Sequence, residues 1–167
     1  MTRPMSSRWM FGCAVLVVAA CSDATQKPAF DTTLPTQQVM KHIIDPAAVA
    51  LWGRAGTMDT DKGTVSLAPQ TEAGWAEAED EAAIVAEGGN LLLLPGRTPN
   101  FTGVGANWAD FAHALTRQAL AVKAATVARD NDRMFKAGGE LYQVCTDCHA
   151  KYYIPYLNAQ GVYTPPK

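Results

Sequence analysis

Two cysteines and a histidine near the C-terminus carry the clearest chemical signal in this sequence, Cys145-Thr146-Asp147-Cys148-His149. The spacing C-x-x-C-H is the attachment motif of a c-type haem. Residues at i and i+3 share one face of a helix, so Cys145 and Cys148 can both bond to the vinyl groups of one porphyrin. His149 then serves as the proximal ligand of the iron. The motif predicts one covalently attached haem c.

Two other chemistries use paired cysteines at this spacing. A thioredoxin-like dithiol belongs beside a βαβ unit and has no need of His149. A zinc site needs about four ligands, and the sequence has no second Cys/His pair to complete the set. Haem attachment is the interpretation that uses all three residues of the motif.

The first twenty residues have the pattern of an export signal. Arg3 and Arg8 make a positive start, and the apolar run over 14–20 is too short to span a bilayer. The run ends in Val-Ala-Ala-Cys, which resembles the lipobox of bacterial lipoproteins. We therefore expect residues 1–20 to be a lipoprotein signal peptide and Cys21 to be acylated. The alternative is ordinary signal cleavage, which leaves Cys21 as a free thiol.

The cysteine count agrees with export to an oxidising compartment. Of the four cysteines, Cys13 leaves with the signal, Cys21 takes the lipid and the C-x-x-C pair takes the haem. No thiol is left over, which suits a compartment in which stray thiols oxidise. We expect the protein in the periplasm, anchored to a membrane by Cys21. Ser22 resembles the residues that sort lipoproteins to the outer membrane, whereas Asp23 weakens that resemblance and leaves the inner membrane as the alternative.

Loss of the signal also changes the charge. The full chain has 14 Lys and Arg against 16 Asp and Glu. Without Arg3 and Arg8 the balance is 12 against 16, a formal charge of −4 for residues 21–167. There is no basic patch, so nucleic acid is not an expected partner. The acidic balance favours a basic partner.

The rest of the sequence predicts one all-α domain between two irregular segments. Residues 21–35 are polar and predict a flexible tether, and residues 157–167 predict a C-terminal tail. Residues 36–156 carry four apolar stripes at helical spacing, and the inward stripe of the fourth consists of Met134, Gly138, Leu141, Cys145, Cys148 and Tyr152. The predicted helices begin near Thr36, Thr71, Asn107 and Asp130, and they end near Gly53, Leu94, Arg129 and just before Pro155.

Three features inside these helices carry specific expectations. Pro46 interrupts the first apolar pattern and should kink or split that helix. Gly88-Gly89 lies inside the second helix and indicates close backbone packing. The acidic group over 77–81 predicts a solvated face rather than a metal site. The first stripe itself consists of Met40, Ile43, Ala47 and Leu51, widened by Val39, Ile44 and Trp52.

Four amphipathic helices with short connections predict an antiparallel four-helix bundle. In up-down-up-down order the end of the fourth helix lies beside the start of the first, which brings His149 and Met40 to one level. A Met on an apolar stripe is ordinarily core filler. Met58 and Met134 fall towards the opposite end, however, so Met40 is the methionine at the level of the haem. We take it as the candidate distal ligand.

The position of the motif near the end of a four-helix chain resembles class II cytochromes c, the cytochrome c′ family, over about residues 36 to 155. The most specific part is Leu141-Tyr142-x-x-Cys145-x-x-Cys148-His149-x-x-Tyr152. Class I cytochromes have the motif near the N-terminus instead. The segment Val39-Met40-Lys41 resembles the start of helix one in low-spin members, in which a Met is the sixth iron ligand. High-spin members lack that bond and bind small gases.

The resemblance implies a lipid-anchored periplasmic cytochrome that transfers single electrons through a haem with His149 and Met40 as axial ligands. It also implies a redox partner protein in the periplasm, and the family includes homodimers built on helix faces. The alternative is a five-coordinate protein that binds nitric oxide or carbon monoxide. A third class is a structural outer-membrane lipoprotein in which the haem is incidental.

Two histidines are further candidates for the sixth position, although both lie off the apolar seams: His42 and His113. No catalytic triad or paired-carboxylate cleft appears in the sequence, so we do not expect an enzyme.

Overall fold

The computed structural model describes residues 29–99 and 107–161, so the predicted signal peptide and Cys21 lie outside the described residues. The described residues are mostly helical, with one small hairpin, which confirms the all-α class. Within those two ranges no helix is both long and apolar enough to cross a membrane.

The first helical region consists of three consecutive segments. α1 (Thr36–Val39) leads into a π-helical turn (Met40–Ile44) and then directly into α2 (Asp45–Trp52). An antiparallel hairpin follows, formed by β1 (Thr57–Thr60) and β2 (Gly63–Ser66). Every residue of both strands is solvent exposed, so the hairpin contributes little to the core.

Three further helical regions follow the hairpin. α3 (Glu72–Leu92) and α4 (Trp108–Val127) are uninterrupted α-helices. The last region repeats the plan of the first, because α5 (Asn131–Cys148) continues through a π-helical turn (His149–Tyr153) into α6 (Ile154–Ala159). The predicted starts of α3 and α5 are confirmed by their capping side chains, since Thr71 and Asp130 each accept a hydrogen bond from a backbone N–H of the first turn.

The fourth helical region extends past its predicted end. We expected it to stop before Pro155, because proline breaks the hydrogen-bond pattern of an α-helix. The structure continues as helix to Ala159, so the segment predicted as an irregular tail, 157–167, begins with helical residues. Pro155 is tolerated because it lies in the first turn of α6, where a missing N–H costs no intrahelical bond.

A proline follows each π-helical turn at the same distance. Pro46 and Pro155 lie in the first turns of α2 and α6, six positions after Met40 and His149 respectively. The residue before each proline donates its N–H five residues back, to the carbonyls of Met40 and His149. The wider turn accommodates a ring that would collide with a carbonyl of a regular α-helix. Pro46 thus splits the first helix, as predicted, but without ending it.

The first π-helical turn also changes which residues of the first region are buried. The sequence pattern placed Met40 and Ile43 in the middle of the inward stripe and Val39 and Ile44 at its margins. In the structure Val39 and Ile44 are the buried pair, whereas Met40 and Ile43 are only half-buried. Residues five apart come to one face in a π-helix but not in an α-helix. Met40 therefore packs at the edge of the core and not in its centre.

α3 and α4 form an antiparallel pair. Trp108, at the start of α4, donates its indole N–H to the Leu92 carbonyl at the end of α3, with 2.8 Å between the two atoms. Lys123, near the end of α4, forms an ion pair with Glu79, near the start of α3. Each helix therefore begins where the other ends.

The first helical region contacts both α3 and the last region. Arg54, just after α2, forms ion pairs with Glu77 (2.9 Å) and Glu81 (3.1 Å) of α3. Trp52 donates its indole N–H to the Gly138 carbonyl of α5 at 3.0 Å. The acidic group of α3 was predicted to be a solvated face, but these two carboxylates of the group join α3 to the first region.

Two adjacent glycines allow three helices to approach closely. A Cβ added at Gly88 would lie 2.5 Å from the Ile44 side chain, which is buried against it. A Cβ added at Gly89 would collide with the Thr116 hydroxyl and lie 2.6 Å from the Ala112 carbonyl oxygen of α4. The close packing predicted from the Gly-Gly pair is confirmed.

Gly89→Ala should destabilise the fold, because its nearest neighbours include backbone that cannot rotate away. We expect the free energy of unfolding to fall by about 1–3 kcal/mol, the usual range for overpacking. Gly139→Ala is the matched control, since a Cβ at this exposed position of α5 meets nothing within 4 Å. It should stabilise the fold by about 0.5–1 kcal/mol. Urea unfolding of both variants measures the difference, and equal effects would contradict the packing described for Gly89.

Candidate functional site

The three residues of the C-x-x-C-H motif lie at the junction of two helical segments. Cys145 and Cys148 occupy the end of α5, and His149 is the first residue of the π-helical turn that follows. Both thiols are free, half-buried and packed against the apolar core. Leu141 and Tyr152, on the same stripe, are fully buried. The predicted placement of the cysteine pair on the inward face of a helix is confirmed.

The residues between the two cysteines bond along the outer side of the helix. The Thr146 hydroxyl donates to the Gln143 carbonyl at 2.9 Å. The Gln143 side-chain amide donates to the Asp147 carboxylate at 2.7 Å. These bonds are exposed and local.

Burial keeps both thiols protonated. It raises the pKa of the Cys145 thiol from 9.0 to about 11, and the nearby Asp45 carboxylate acts in the same direction. Burial also raises the pKa of the Cys148 thiol to about 11, with a smaller contribution from Cys145. A reactive dithiol needs an easily formed thiolate. The electrostatics of this pair therefore disfavour the reactive-dithiol alternative.

The imidazole of His149 favours its neutral form. Burial lowers the pKa of His149, and the carboxylate of Asp45 opposes that shift without reversing it. Its ring lies 5.4 Å from the ring of Tyr153, centroid to centroid. Neutral imidazole is the form that binds a metal through a ring nitrogen.

The donor set is too small for a metal site made only of protein ligands. Among the described residues, no group of three or more His, Cys, Asp or Glu side chains is arranged to hold a metal ion. A porphyrin supplies the equatorial nitrogens of its iron, so a haem needs only one or two axial ligands from the protein. Two thiols for attachment and one neutral imidazole for the iron fit that requirement.

The first and last helical regions pack closely at one end and diverge at the other. At the close end, Trp52 bonds to Gly138, and its ring lies edge-on to that of Tyr142 at 5.4 Å. At the other end, no Cα atom of Met40–Ile44 lies within 8 Å of a Cα atom of α5 or of His149–Tyr153. The two π-helical turns therefore stand at the same end of the molecule but apart.

The carboxylate of Asp45 acts across this divergence. It follows the first π-helical turn in the chain, yet it raises the pKa of Cys145 and also that of His149, against the effect of burial. The first region is therefore close enough to influence the motif electrostatically. Sequence reasoning missed Asp45, because only the pairing of the two regions brings it towards the motif.

Aromatic side chains close the site on the side of α4. Tyr152 is buried, and its ring lies edge-on to Trp108 at 5.0 Å and to Phe111 at 5.9 Å. Edge-to-face pairs of this kind stabilise a fold beyond the area that they bury. Tyr152 follows Cys148 by about one turn, so this cluster anchors the helix that carries the motif.

The other candidate ligands are placed as expected. His42 and His113 are exposed, in agreement with their positions off the apolar seams. Met58 is exposed in β1, and Met134 is buried near the start of α5, far from the motif along that helix. Of the three methionines within 29–99 and 107–161, Met40 is the one in the helical turn paired with that of His149.

Comparison with protein-family models, curated proteins and solved structures finds no significant match to this chain.

The haem-free chain should react slowly with thiol reagents. At pH 8 a pKa of about 11 makes the thiolate fraction about 100-fold smaller than that of a thiol with a pKa of 9.0. The greater nucleophilicity of a more basic thiolate restores about tenfold. We therefore expect iodoacetamide to alkylate Cys145 and Cys148 at least about tenfold more slowly than free cysteine. The difference should shrink as the pH rises through 11.

Two matched variants test how much the Asp45 carboxylate contributes to the raised pKa of Cys145. Asp45→Asn should speed the alkylation of Cys145, because it removes a charge that opposes the thiolate. Asp147→Asn, within the motif itself, should leave the rate unchanged. Native and urea-unfolded chains that react equally fast would contradict the raised pKa values.

Proposed function

We propose that this protein is a c-type cytochrome that transfers single electrons through one haem attached to Cys145 and Cys148. The observation that carries the proposal is the half-buried pair of protonated thiols next to the neutral imidazole of His149. When bound, the haem supplies the change of iron oxidation state that moves an electron. The two thiols would fix its position, and His149 would provide a ligand to its iron.

We also propose that the helices form an antiparallel four-helix bundle of the class II cytochrome type. The antiparallel pair of α3 and α4, together with the contacts of the first region to α3 and α5, supports this arrangement. Bundles build cofactor sites between facing helices. In this protein the facing surfaces are those of the first and last regions, where the two π-helical turns diverge.

The proposed distal ligand is the thioether of Met40. Met40 is half-buried against the core and occupies the first position of its π-helical turn, as His149 does in the other turn. Single-turn π segments occur frequently at functional sites of helices. A thioether ligand favours ferrous iron and so raises the reduction potential. This combination suits an electron carrier.

The proposed cellular setting follows from the N-terminal sequence. Lipid on Cys21 would hold the protein at a periplasmic membrane surface, with outer-membrane sorting favoured by Ser22, and residues 21–35 would act as a tether. The formal charge of −4 after signal removal favours a basic redox partner. We propose a periplasmic protein as that partner.

Covalent attachment is the first test. After denaturation in acidified organic solvent, the haem should remain with the polypeptide and add its mass to a peptide containing Cys145 and Cys148. Cys145→Ser with Cys148→Ser should remove the covalent mass. Haem that extracts freely from the wild-type protein, or a mature protein without haem, would refute the proposal.

The role of Met40 decides between electron carrier and gas binder. With Met40 bound, the ferrous protein should be low spin and should take up carbon monoxide slowly, because the thioether must leave first. Met40→Leu keeps the side-chain volume nearly constant, so it tests ligation apart from packing. We expect this variant to become high spin, to bind carbon monoxide faster and to have a lower reduction potential.

Met134→Leu is the matched control, since Met134 is buried near the other end of α5. It should change neither the spectrum nor the rate of gas binding. A wild-type protein that is already high spin and is unaffected by Met40→Leu would assign Met40 to packing. The function would then be that of a five-coordinate protein that binds nitric oxide or carbon monoxide.

A further inference from the structure

One charged side chain is buried at the same end of the molecule as the C-x-x-C-H motif. Arg97 lies just beyond the end of α3, and only 6% of its surface is exposed. Arginine is almost never fully buried unless it is paired with an acid. The position of this residue therefore needs a physical reason.

The hydrogen bonds of Arg97 leave its charge uncompensated. Its Nη1 donates to the Leu91 carbonyl at 3.0 Å, while its buried Nε has no hydrogen-bond partner. No carboxylate of the described residues forms an ion pair with this guanidinium. Arg54, which also contacts α3, differs from Arg97 in this respect, because its guanidinium forms ion pairs with both Glu77 and Glu81.

An uncompensated buried charge is expensive. The effective penalty for desolvating an ion in a protein is several kcal/mol, and an unmet hydrogen-bond donor adds to it. A carboxylate that accepted hydrogen bonds from Nε and from a second N–H group of the guanidinium would reduce both the cost of the buried charge and that of the unmet donor. Two N–H groups of arginine match the two oxygens of a carboxylate in geometry.

Two series of hydrogen bonds and ring contacts connect Arg97 to the end of the molecule that carries the C-x-x-C-H motif. Its carbonyl accepts a hydrogen bond from the Thr36 hydroxyl at 2.7 Å, and Thr36 lies one helical turn before Met40. On the other side, Leu92, next to the carbonyl that Arg97 caps, accepts from the Trp108 indole, whose ring packs on Tyr152. Arg97 is thus tied to the helices that carry both proposed axial ligands.

We propose that Arg97 is a carboxylate-binding residue and that the carboxylate is a propionate of the haem. The inference rests on the proposed function, since it is the haem that brings an anion to this end of the molecule. Haem carries propionate carboxylates on one edge, and a desolvated propionate needs a cation as much as Arg97 needs an anion. Arg97 would hold that propionate ionised and fix the orientation of the haem edge.

A purely structural role makes a different prediction. If Arg97 only caps α3 through the Leu91 carbonyl, its removal changes stability and nothing else. If it binds a propionate, its removal changes the titration of the propionate itself. A neighbouring cation lowers the pKa of a carboxyl group by about 1–3 units, so loss of the cation raises it by that amount.

The test compares Arg97→Met, Arg97→Lys and the control Arg54→Met in the haem-loaded protein. The propionate bending band of the resonance Raman spectrum is followed as a function of pH. In Arg97→Met the band should shift, and the propionate should protonate about 1–3 pH units higher than in the wild type. Arg97→Lys keeps the charge and loses the fork, so its titration should lie between the two. Arg54→Met should match the wild type.

The outcomes separate the inference from the proposed function. Covalent haem with a propionate titration that is unchanged in both Arg97 variants would overturn the inference alone and leave Arg97 as a cap of α3. Absence of covalent haem in the wild type would overturn both. Arg97→Lys covers the case in which Arg97→Met fails to fold, because it retains the charge and most of the side-chain length.

Discussion

Proline within a helix is the constraint that the rest of this structure accommodates. An α-helix has no room for the ring, and the chain meets that restriction twice by widening the preceding turn. Both wide turns begin at a residue proposed to face the iron, Met40 in the first region and His149 in the last. In each region the π-helical turn thus marks the point at which the chain departs from regular α-helical geometry. The proposed site lies where both regions make that adjustment.

The pairs of neighbouring helices differ in how tightly they pack. Where α3 crosses its neighbours, Gly88 and Gly89 bring backbones and side chains within van der Waals distance. Small residues dominate the neighbouring core positions, including Ala78, Ala82 and Ala86 of α3. Between the first and last regions the approach is close only at Trp52, and the regions separate towards the motif. The first region therefore packs closely on α3 while a gap separates it from the segment that carries the motif.

Much of the fold could be predicted because its signals are local. Thr71 and Asp130 cap their own helices, and the apolar stripe of α5 identified the inward face of the cysteine pair. One error came from assuming one helical period throughout, which centred the first stripe on Met40 and Ile43 and put the buried Val39 and Ile44 at its margins. The other came from expecting Pro155 to end the last helix, which continues to Ala159.

The electrostatic groups of the site could not be predicted at all, for a different reason. Arg97 bonds to Thr36 across 61 positions of sequence, and Asp45 acts on residues of the opposite region. No periodic pattern or short motif identifies such groups. The neighbours of a charged side chain at a helix end are determined by which distant segments pack together. That packing is a property of the whole fold.

The first wide turn also acts as a one-residue insertion in an otherwise regular helix. One residue corresponds to a rotation of about 100° around a helix axis. The extra residue rotates α1 about the helix axis relative to α2. The direction in which Met40 lies around that axis therefore cannot be calculated from the position of Leu51 with the regular helical period. A single deletion between Met40 and Ile44 would turn α1 about its axis while α2 kept its contacts. In this way the length of one turn, and not the identity of any side chain, controls which atoms of the first region are directed towards the motif.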